Sequence, residues 1–208
     1  MTAPSPARTA LLHSALRLEY LTVGWNVVEA AVAITAGALA GSTALIGFGG
    51  DSVVESLSGM VLIWRLRAER RASGERWGEH REQRARRLVA VSMWALAAYI
   101  AAESIVGLVR GEGAEASPVG IGLAVMSLTL MWLLARAKQA RARELHSHAL
   151  EADATQTRIC WQLSAVLLAG LALNAAFGWW WVDGTAALGM SVVIGREGRE
   201  AWAERDCC

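Results

Sequence analysis

Residues Thr43 to Trp64 read TALIGFGGDSVVESLSGMVLIW, and their pattern indicates the fold class. A helix rises about 1.5 Å per residue, so an apolar run of about 20 residues crosses the ~30 Å hydrocarbon core of a bilayer. Two acids, Asp51 and Glu55, stand well away from either end of the run. The stretch therefore predicts a membrane-spanning helix that carries ionisable side chains inside the bilayer.

Five further apolar runs follow the same pattern. The chain is 54% hydrophobic over 208 residues yet has a formal net charge of +1, so apolar and charged residues are segregated along it. Short alternating strands of a barrel are absent, which leaves helices as the spanning element. The sequence predicts an all-α membrane protein of six transmembrane helices, the other five near Tyr20 to Ala40, Leu88 to Val109, Pro118 to Leu134, Ala154 to Phe177 and Val182 to Ile194.

Basic residues predict the orientation of these spans. Nine arginines lie between spans two and three, in the segment from Arg65 to Arg87, and Arg136, Lys138, Arg141 and Arg143 lie between spans four and five. Loops rich in arginine and lysine stay cytoplasmic, whereas Trp179 to Trp181 is typical of the opposite interface. Both termini are therefore predicted to be cytoplasmic, with tails at residues 1–17 and 203–208 around a transmembrane domain at 18–202.

The arginine-rich segment 65–87 also bears on partners. Acidic residues interleave with the arginines there, which favours a solvated helical hairpin or a contact with lipid headgroups over nucleic-acid binding. Membrane lipid is thus the expected partner of this segment, and nucleic acid is not.

Asp51 and Glu55 share one helix face because they are four residues apart. Each would cost about 2.5–3.5 kcal/mol at the centre of a membrane helix on the insertion scale. A cation shared by both carboxylates would offset that cost and their mutual repulsion. The alternative is a structural acid pair, held neutral or bridged to a base, and Arg158 is the basic residue that the sequence places near a span interior.

A second polar stripe runs along the fifth span. Gln156, Cys160 and Ser164 recur at four-residue intervals, so they lie on one face. An amide oxygen and a thiolate can both bind metal, and the thiolate favours soft or borderline ions such as Zn²⁺. Taken alone this stripe is weak, since a buried cysteine is more often a small apolar residue.

Two motifs resemble the cation diffusion facilitator family of divalent metal/proton antiporters. That family carries an Asp-x-x-x-Asp pair in its second span, where this chain has Asp51-Ser-Val-Val-Glu55. Its fifth span carries A-D-A-x-H-x-x-x-D-x-x-x-S, and residues 152–164 follow the same frame, with Gln156 and Cys160 in place of the family's His and Asp. The resemblance covers roughly Tyr20 to Trp202.

The resemblance implies a secondary transporter that exchanges a divalent cation for protons, with Zn²⁺ the first candidate. It implies a metal site of Asp51, Glu55, Gln156 and Cys160, no prosthetic group, and the metal ion as substrate. The family's cytoplasmic domain has no counterpart here, which is similar to a short branch of the family. A homodimer is compatible with the resemblance. The expected location is a cell membrane, crossed several times, and composition favours a bacterial inner membrane.

Four other polar residues are candidates for the ion pathway: Asn26 and Glu29 in span one, Glu103 in span three, and Asp153 at the start of span five. Helix contacts explain the first three equally well, and N-capping explains Asp153 equally well. Two rival functions stay open. One is a metal-binding membrane sensor that does not transport, and the other, less favoured, is a membrane enzyme, for which the sequence has no hydrolase or phosphate-binding motif.

Overall fold

The computed structural model describes residues 6–70, 79–111, 114–115 and 117–203. These residues form six α-helices and no β-strand, which confirms the predicted all-α fold and its helix count. The helices are α1 (Pro6–Ala40), α2 (Thr43–Arg70), α3 (Glu79–Arg110), α4 (Pro118–Leu145), α5 (His148–Phe177) and α6 (Trp181–Ala203).

Five of the six helices, α1 to α5, are long and apolar enough to cross a membrane. The sixth, α6, is not among them, because Asp183 near its start and several charged residues near its end interrupt its apolar middle. It nevertheless packs along α3 and also touches α2 and α5. A sixth span therefore remains a prediction, supported by this packing.

The helix ends at one face of the bundle lie where local sequence signals predict them. Gly41, with φ of +65°, separates α1 from α2, and Gly178, with φ of +66°, ends α5. The Ser117 hydroxyl accepts a hydrogen bond from the N–H of Gly120, and Pro118 occupies the first turn of α4. We call this face the outer end of the bundle, following the predicted orientation.

At the opposite face, the inner end, the helices run further than predicted. The basic residues Arg136, Lys138, Arg141 and Arg143 were expected in a loop, but they belong to α4, which continues to Leu145. Arginine and lysine are good helix formers, so a helix that leaves the membrane through them has no reason to stop.

Only His146 and Ser147 connect α4 to α5. His146 adopts the left-handed conformation that ends α4, and the Ser147 hydroxyl accepts a hydrogen bond from the N–H of Leu150. The predicted N-terminal tail is likewise helical from Pro6 onward. The middle of the predicted loop, residues 71–78, and the terminal Cys207 and Cys208 lie outside the described residues.

The helices pack as three main pairs, α1 with α2, α4 with α5 and α3 with α6. Contacts of α1 with α4 and of α2 with α5 join the first two pairs into a four-helix bundle. Close approach of α1 and α2 depends on glycine: a Cβ at Gly49 would lie 2.7 Å from Ile34 Cγ1, and one at Gly59 would lie 2.6 Å from Val23 Cγ2. This packing brings α1 and α5 to the two sides of the acid pair on α2.

Buried apolar side chains form two clusters. The larger surrounds the middle and the outer end of the bundle. The smaller, which we call the inner apolar cluster, joins α1, α2, α4 and the start of α5. It consists of Leu12, Ala15, Leu16, Leu62, Ile63, Leu66, Ala142, Leu145 and Leu150.

Candidate metal centre

The two acids of α2 are both buried inside the bundle. Asp51 is 4% exposed and Glu55 is 2% exposed. Their helix packs against α1 on one side and α5 on another, so neither carboxylate points toward lipid or bulk water. Two carboxylates, one helical turn apart, thus form the centre of the candidate site.

Helix α5 brings Cys160 to this acid pair. The Cys160 thiol is buried and lies within electrostatic range of both Asp51 and Glu55. One turn earlier, the Thr157 hydroxyl donates a hydrogen bond of 2.8 Å to Glu55 Oε1. The structure therefore brings together three of the four residues that the resemblance implied as ligands.

Gln156, the fourth, is half-buried on α5. Its Nε2 is buried and has no hydrogen-bond partner among the described residues. Glu55 Oε2 is likewise buried and unpartnered there. A buried polar atom without a partner is costly, so both side chains retain an unsatisfied capacity to bind.

These side chains do not form a finished coordination shell. Among the described residues, no group of three or more His, Cys, Asp or Glu side chains is arranged closely enough to hold a metal ion. An ion bound between α2 and α5 would have to draw Asp51, Glu55 and Cys160 closer together.

Helix α1 contributes a third carboxylate to the same region. Glu29 is completely buried, and its Oε2 accepts a hydrogen bond of 2.8 Å from the Ser52 hydroxyl, next to Asp51 on α2. Its Oε1 accepts one of 3.1 Å from the Trp25 indole N–H. Glu29 is close enough to interact electrostatically with Asp51, Glu55 and Cys160, and its role in the ion pathway stays a prediction.

Asn26 lies one turn before Glu29 on α1. Along the contact of α1 with α2, Glu29 pairs with Ser52, and Val23 lies beside Gly59. Asn26 is midway between Glu29 and Val23, so it lies level with Glu55 on α2. Asn26 is completely buried, and neither its Oδ1 nor its Nδ2 has a hydrogen-bond partner among the described residues. Its role in the ion pathway likewise stays a prediction.

Helix α6 carries a further acid that the sequence analysis missed. Glu197 is 8% exposed, its Oε1 has no partner in the described part of the chain, and it lies within electrostatic range of Asp51 and Glu55. No local spacing links Glu197 to the motif on α2, because the connection exists only through the packing of α6 on α2.

Lys138 is the second residue that the sequence analysis missed, and here the prediction was wrong. It was assigned to a cytoplasmic loop, but its side chain is completely buried among α1, α4 and α5. Its Nζ donates hydrogen bonds to Glu19 Oε2 at 3.1 Å, to Asp153 Oδ2 at 2.5 Å and to Thr157 Oγ1 at 3.2 Å. Arg158, the base that the sequence places near a span interior, does lie within α5, but its side chain is exposed.

Two candidate pathway residues also need correction. Asp153 was expected at the first turn of a span, where N-capping would explain it, but α5 begins at His148 and Ser147 is its N-cap. Asp153 is instead buried and paired with Lys138. Glu103 is exposed on α3 and so faces away from the acid pair on α2. The sequence could not distinguish these orientations, because a helix in lipid is apolar on all its faces.

Fold and site together define a multi-pass membrane protein with a buried cluster of acids and a thiol, the arrangement expected of a cation transporter. The family model of the cation efflux transmembrane domain matches residues 20–204. The chain therefore belongs to the cation efflux family, whose members transport divalent cations, and the resemblance noted in the sequence is confirmed. A comparison with curated proteins finds no match to this chain.

Proposed function

We propose that the protein exchanges a divalent metal ion, with Zn²⁺ the first candidate, for protons, and that Asp51, Glu55, Gln156 and Cys160 bind the ion. Carboxylate and thiolate are ligands that Zn²⁺ favours, and a thiolate disfavours hard ions such as Mg²⁺. Cys160 must lose its proton to bind, and two neighbouring carboxylates hold protons more tightly than one. Metal binding would therefore release protons, which is the coupling that an antiporter needs.

This proposal is supported by the burial of Asp51, Glu55 and Cys160, within electrostatic range of one another, deep inside the bundle. Intramembrane acids usually pair with a cation or line its path. The described residues hold one buried base near this centre, Lys138, and it pairs directly with Glu19 and Asp153 rather than with Asp51 or Glu55. The charge of the acid pair is thus left for an ion or for protons to neutralise.

Transport by the purified protein in liposomes tests the proposal. A Zn²⁺-sensitive dye and a pH-sensitive dye inside the liposomes would report metal uptake and proton release together. The isosteric variants Asp51→Asn and Glu55→Gln are expected to lose both signals. Glu103→Gln is the matched control, because it neutralises an exposed acid of α3 and should transport normally.

Three outcomes are informative. Normal flux in both Asp51→Asn and Glu55→Gln would remove these residues from the mechanism. Metal flux without proton movement would leave a transporter but exclude the antiport. Metal binding without any flux, in protein that folds, would support the rival function of a membrane sensor.

Replacing the sulfur tests the choice of metal. In Cys160→Ser the hydroxyl is a harder and weaker ligand than a thiolate, so the preference for Zn²⁺ over Mg²⁺ should fall. Titration of purified protein with each metal measures this preference. An unchanged preference would mean that the thiol does not bind the ion.

Two further assignments belong to the same proposal. We propose the bacterial inner membrane as the location, in keeping with the chain's abundance of alanine and arginine. We also propose that the protein can assemble as a homodimer, in which each bundle contains its own acid pair and thiol. Cross-linking in membranes would test the assembly.

A further inference from the structure

Lys138 joins three helices at one buried point. It belongs to α4, while Glu19 belongs to α1 and Asp153 to α5, and its ammonium group bonds to both carboxylates. We call these three residues the Lys138 triad. One positive charge therefore holds together three of the four helices that surround the candidate site.

The triad is separated from the metal centre by a single hydroxyl group. Lys138 Nζ donates to Thr157 Oγ1, and the same hydroxyl donates to Glu55 Oε1. Thr157 lies between the candidate ligands Gln156 and Cys160 on α5. Two consecutive hydrogen bonds through Thr157 thus link Glu55 to the ammonium group.

The triad lies on the inner side of the metal centre, and the inner apolar cluster lies further inward. On α4 and α5, the inner apolar cluster continues from the triad with Ala142, Leu145 and Leu150, all of them buried. On α1, Leu12 and Leu16 lie inward of Glu19 and are buried in the same cluster. Among the described residues of α1, α4 and α5, the triad and the inner apolar cluster therefore lie between Glu55 and the inner face.

The triad is incompletely satisfied, which is unusual for a purely structural element. Glu19 Oε1 and Asp153 Oδ1 are buried and have no hydrogen-bond partner among the described residues. A buried ion pair repays its desolvation only when its remaining polar atoms are bonded, so this one is weak as a source of stability. Such a pairing is better suited to an interaction that forms and breaks.

We propose that Lys138 is the central positioning residue of an inner gate, whose ion pairs with Glu19 and Asp153 must break before an ion passes between the metal centre and the inner face. In the structure this gate is closed. Lys138 acts through helix separation and does not itself bind the transported ion.

Occupancy of the metal centre would bias this gate. A divalent cation at Glu55 repels the ammonium group and competes with Thr157 for the Glu55 carboxylate, so it weakens the hydrogen-bonded link to the triad. When the ion leaves, Glu55 regains its link to Lys138 through Thr157 and the closed arrangement is favoured. This coupling rests on the proposed transport function, whereas the closed state itself does not.

Cys160 provides a test of the gate, since it lies in the metal centre and the protein has three cysteines in all. Replacing Cys207 and Cys208 by serine leaves Cys160 as the single thiol. A membrane-impermeant, cationic methanethiosulfonate reagent is then added to either face of the reconstituted protein, without metal, and the labelling rate is measured. Labelling of the background protein from the inner face is expected to be slow.

Lys138→Gln should raise the labelling rate from the inner face by about tenfold or more, because the unpaired carboxylates shift the population toward the open inner end. The rate from the outer face should not change. Lys138→Arg, which keeps the charge, should label nearly as slowly as the background protein. Arg141→Gln is the matched control, since it breaks an exposed ion pair with Glu144 on the same helix and should have no effect.

An unchanged rate in folded Lys138→Gln protein would overturn the proposal, and so would faster labelling from both faces, which indicates general loosening. If Lys138→Gln does not fold, Asp153→Asn tests the same gate with one ion pair left intact and should show the same one-sided increase. These rates need no ion flux. The gate proposal fails on labelling rates, whereas the transport proposal fails if flux is normal in the Asp51 and Glu55 variants. The two failures are therefore distinguishable.

Discussion

Gly49→Ala should destabilise the protein by pushing α1 away from α2. The added methyl would lie 2.7 Å from Ile34 Cγ1 and 3.1 Å from both Ala33 Cβ and the backbone nitrogen of Ile34. The Ile34 side chain can move, but its backbone cannot move without the helix. Such overpacking costs about 1–3 kcal/mol, against a gain of up to about 1 kcal/mol in helix propensity. From the middle of the first range, about 2 kcal/mol, less a gain of about 1 kcal/mol, we expect a net loss of about 1 kcal/mol.

Gly24→Ala on α1 is the matched control. A Cβ at Gly24 meets nothing within 4 Å, so the helix-propensity gain stands alone and stability should rise by up to about 1 kcal/mol. The two substitutions are chemically identical but opposite in expected sign. Thermal unfolding of the purified variants, followed by tryptophan fluorescence, should show a lower midpoint for Gly49→Ala and an equal or higher one for Gly24→Ala.

The displacement of α1 from α2 in Gly49→Ala should also reduce transport. Gly49 lies one turn from Ser52, whose hydroxyl bonds to Glu29 across the α1–α2 contact at 2.8 Å. Helices moved apart by a few tenths of an ångström would weaken this bond and shift Glu29 relative to Asp51. If Gly49→Ala is as stable as Gly24→Ala and transports normally, close α1–α2 packing does not position the site and the reasoning is wrong.

Three further predictions concern single polar groups. Thr157→Val should lower transport several-fold and stability by about 1–3 kcal/mol, because Lys138 and Glu55 each lose a buried hydrogen bond. Thr157→Ser should restore both, and normal transport and stability in Thr157→Val would exclude the hydrogen-bonded link between Lys138 and Glu55. Asp183→Ala should lower the thermal unfolding midpoint, because the Asp183 carboxylate caps the start of α2. It accepts hydrogen bonds from the Ser42 hydroxyl at 2.5 Å and from the N–H of Ala44 at 3.3 Å. An unchanged midpoint would contradict this capping role. Glu103→Gln should transport normally in a flux assay, and loss of flux would return this exposed acid to the pathway.

The outer helix ends were predictable because their signals are local. Glycine in the left-handed conformation and serine followed by proline mark where α1, α4 and α5 begin or end, and each signal acts within a few residues. The inner ends were not predictable in this way. A helix rich in arginine leaves the bilayer without a change in its backbone, so the end of the apolar run at Leu134 is not the end of α4.

The centre of the site was predictable for the same reason. Asp51 and Glu55, and likewise Gln156 and Cys160, are pairs at helical spacing within one span, so the sequence alone places each pair on one face. The residues that support them are distant in sequence. Glu19 meets Lys138 across 119 positions, and Glu29 meets Ser52 across 23. Only the packing of the helices brings such residues together.

One compositional signal could have identified Lys138. It is the only lysine of the chain, whereas every other member of the 20 lysine and arginine residues is arginine. An ammonium group is compact and donates to three acceptors around one point, as Lys138 does, whereas a guanidinium spreads its donors over a plane. A single lysine among arginines was therefore a hint of a specific role.

That uniqueness makes the molecule easy to observe. Growth on lysine that carries ¹⁵N at Nζ would label one side-chain nitrogen of the chain, that of Lys138, and would leave its three hydrogen bonds unchanged. Its chemical shift would report the local electric field within the bilayer, and its line shape would report exchange on the microsecond to millisecond timescale. The protein thus carries a spectroscopic reporter of its own, with no engineered label.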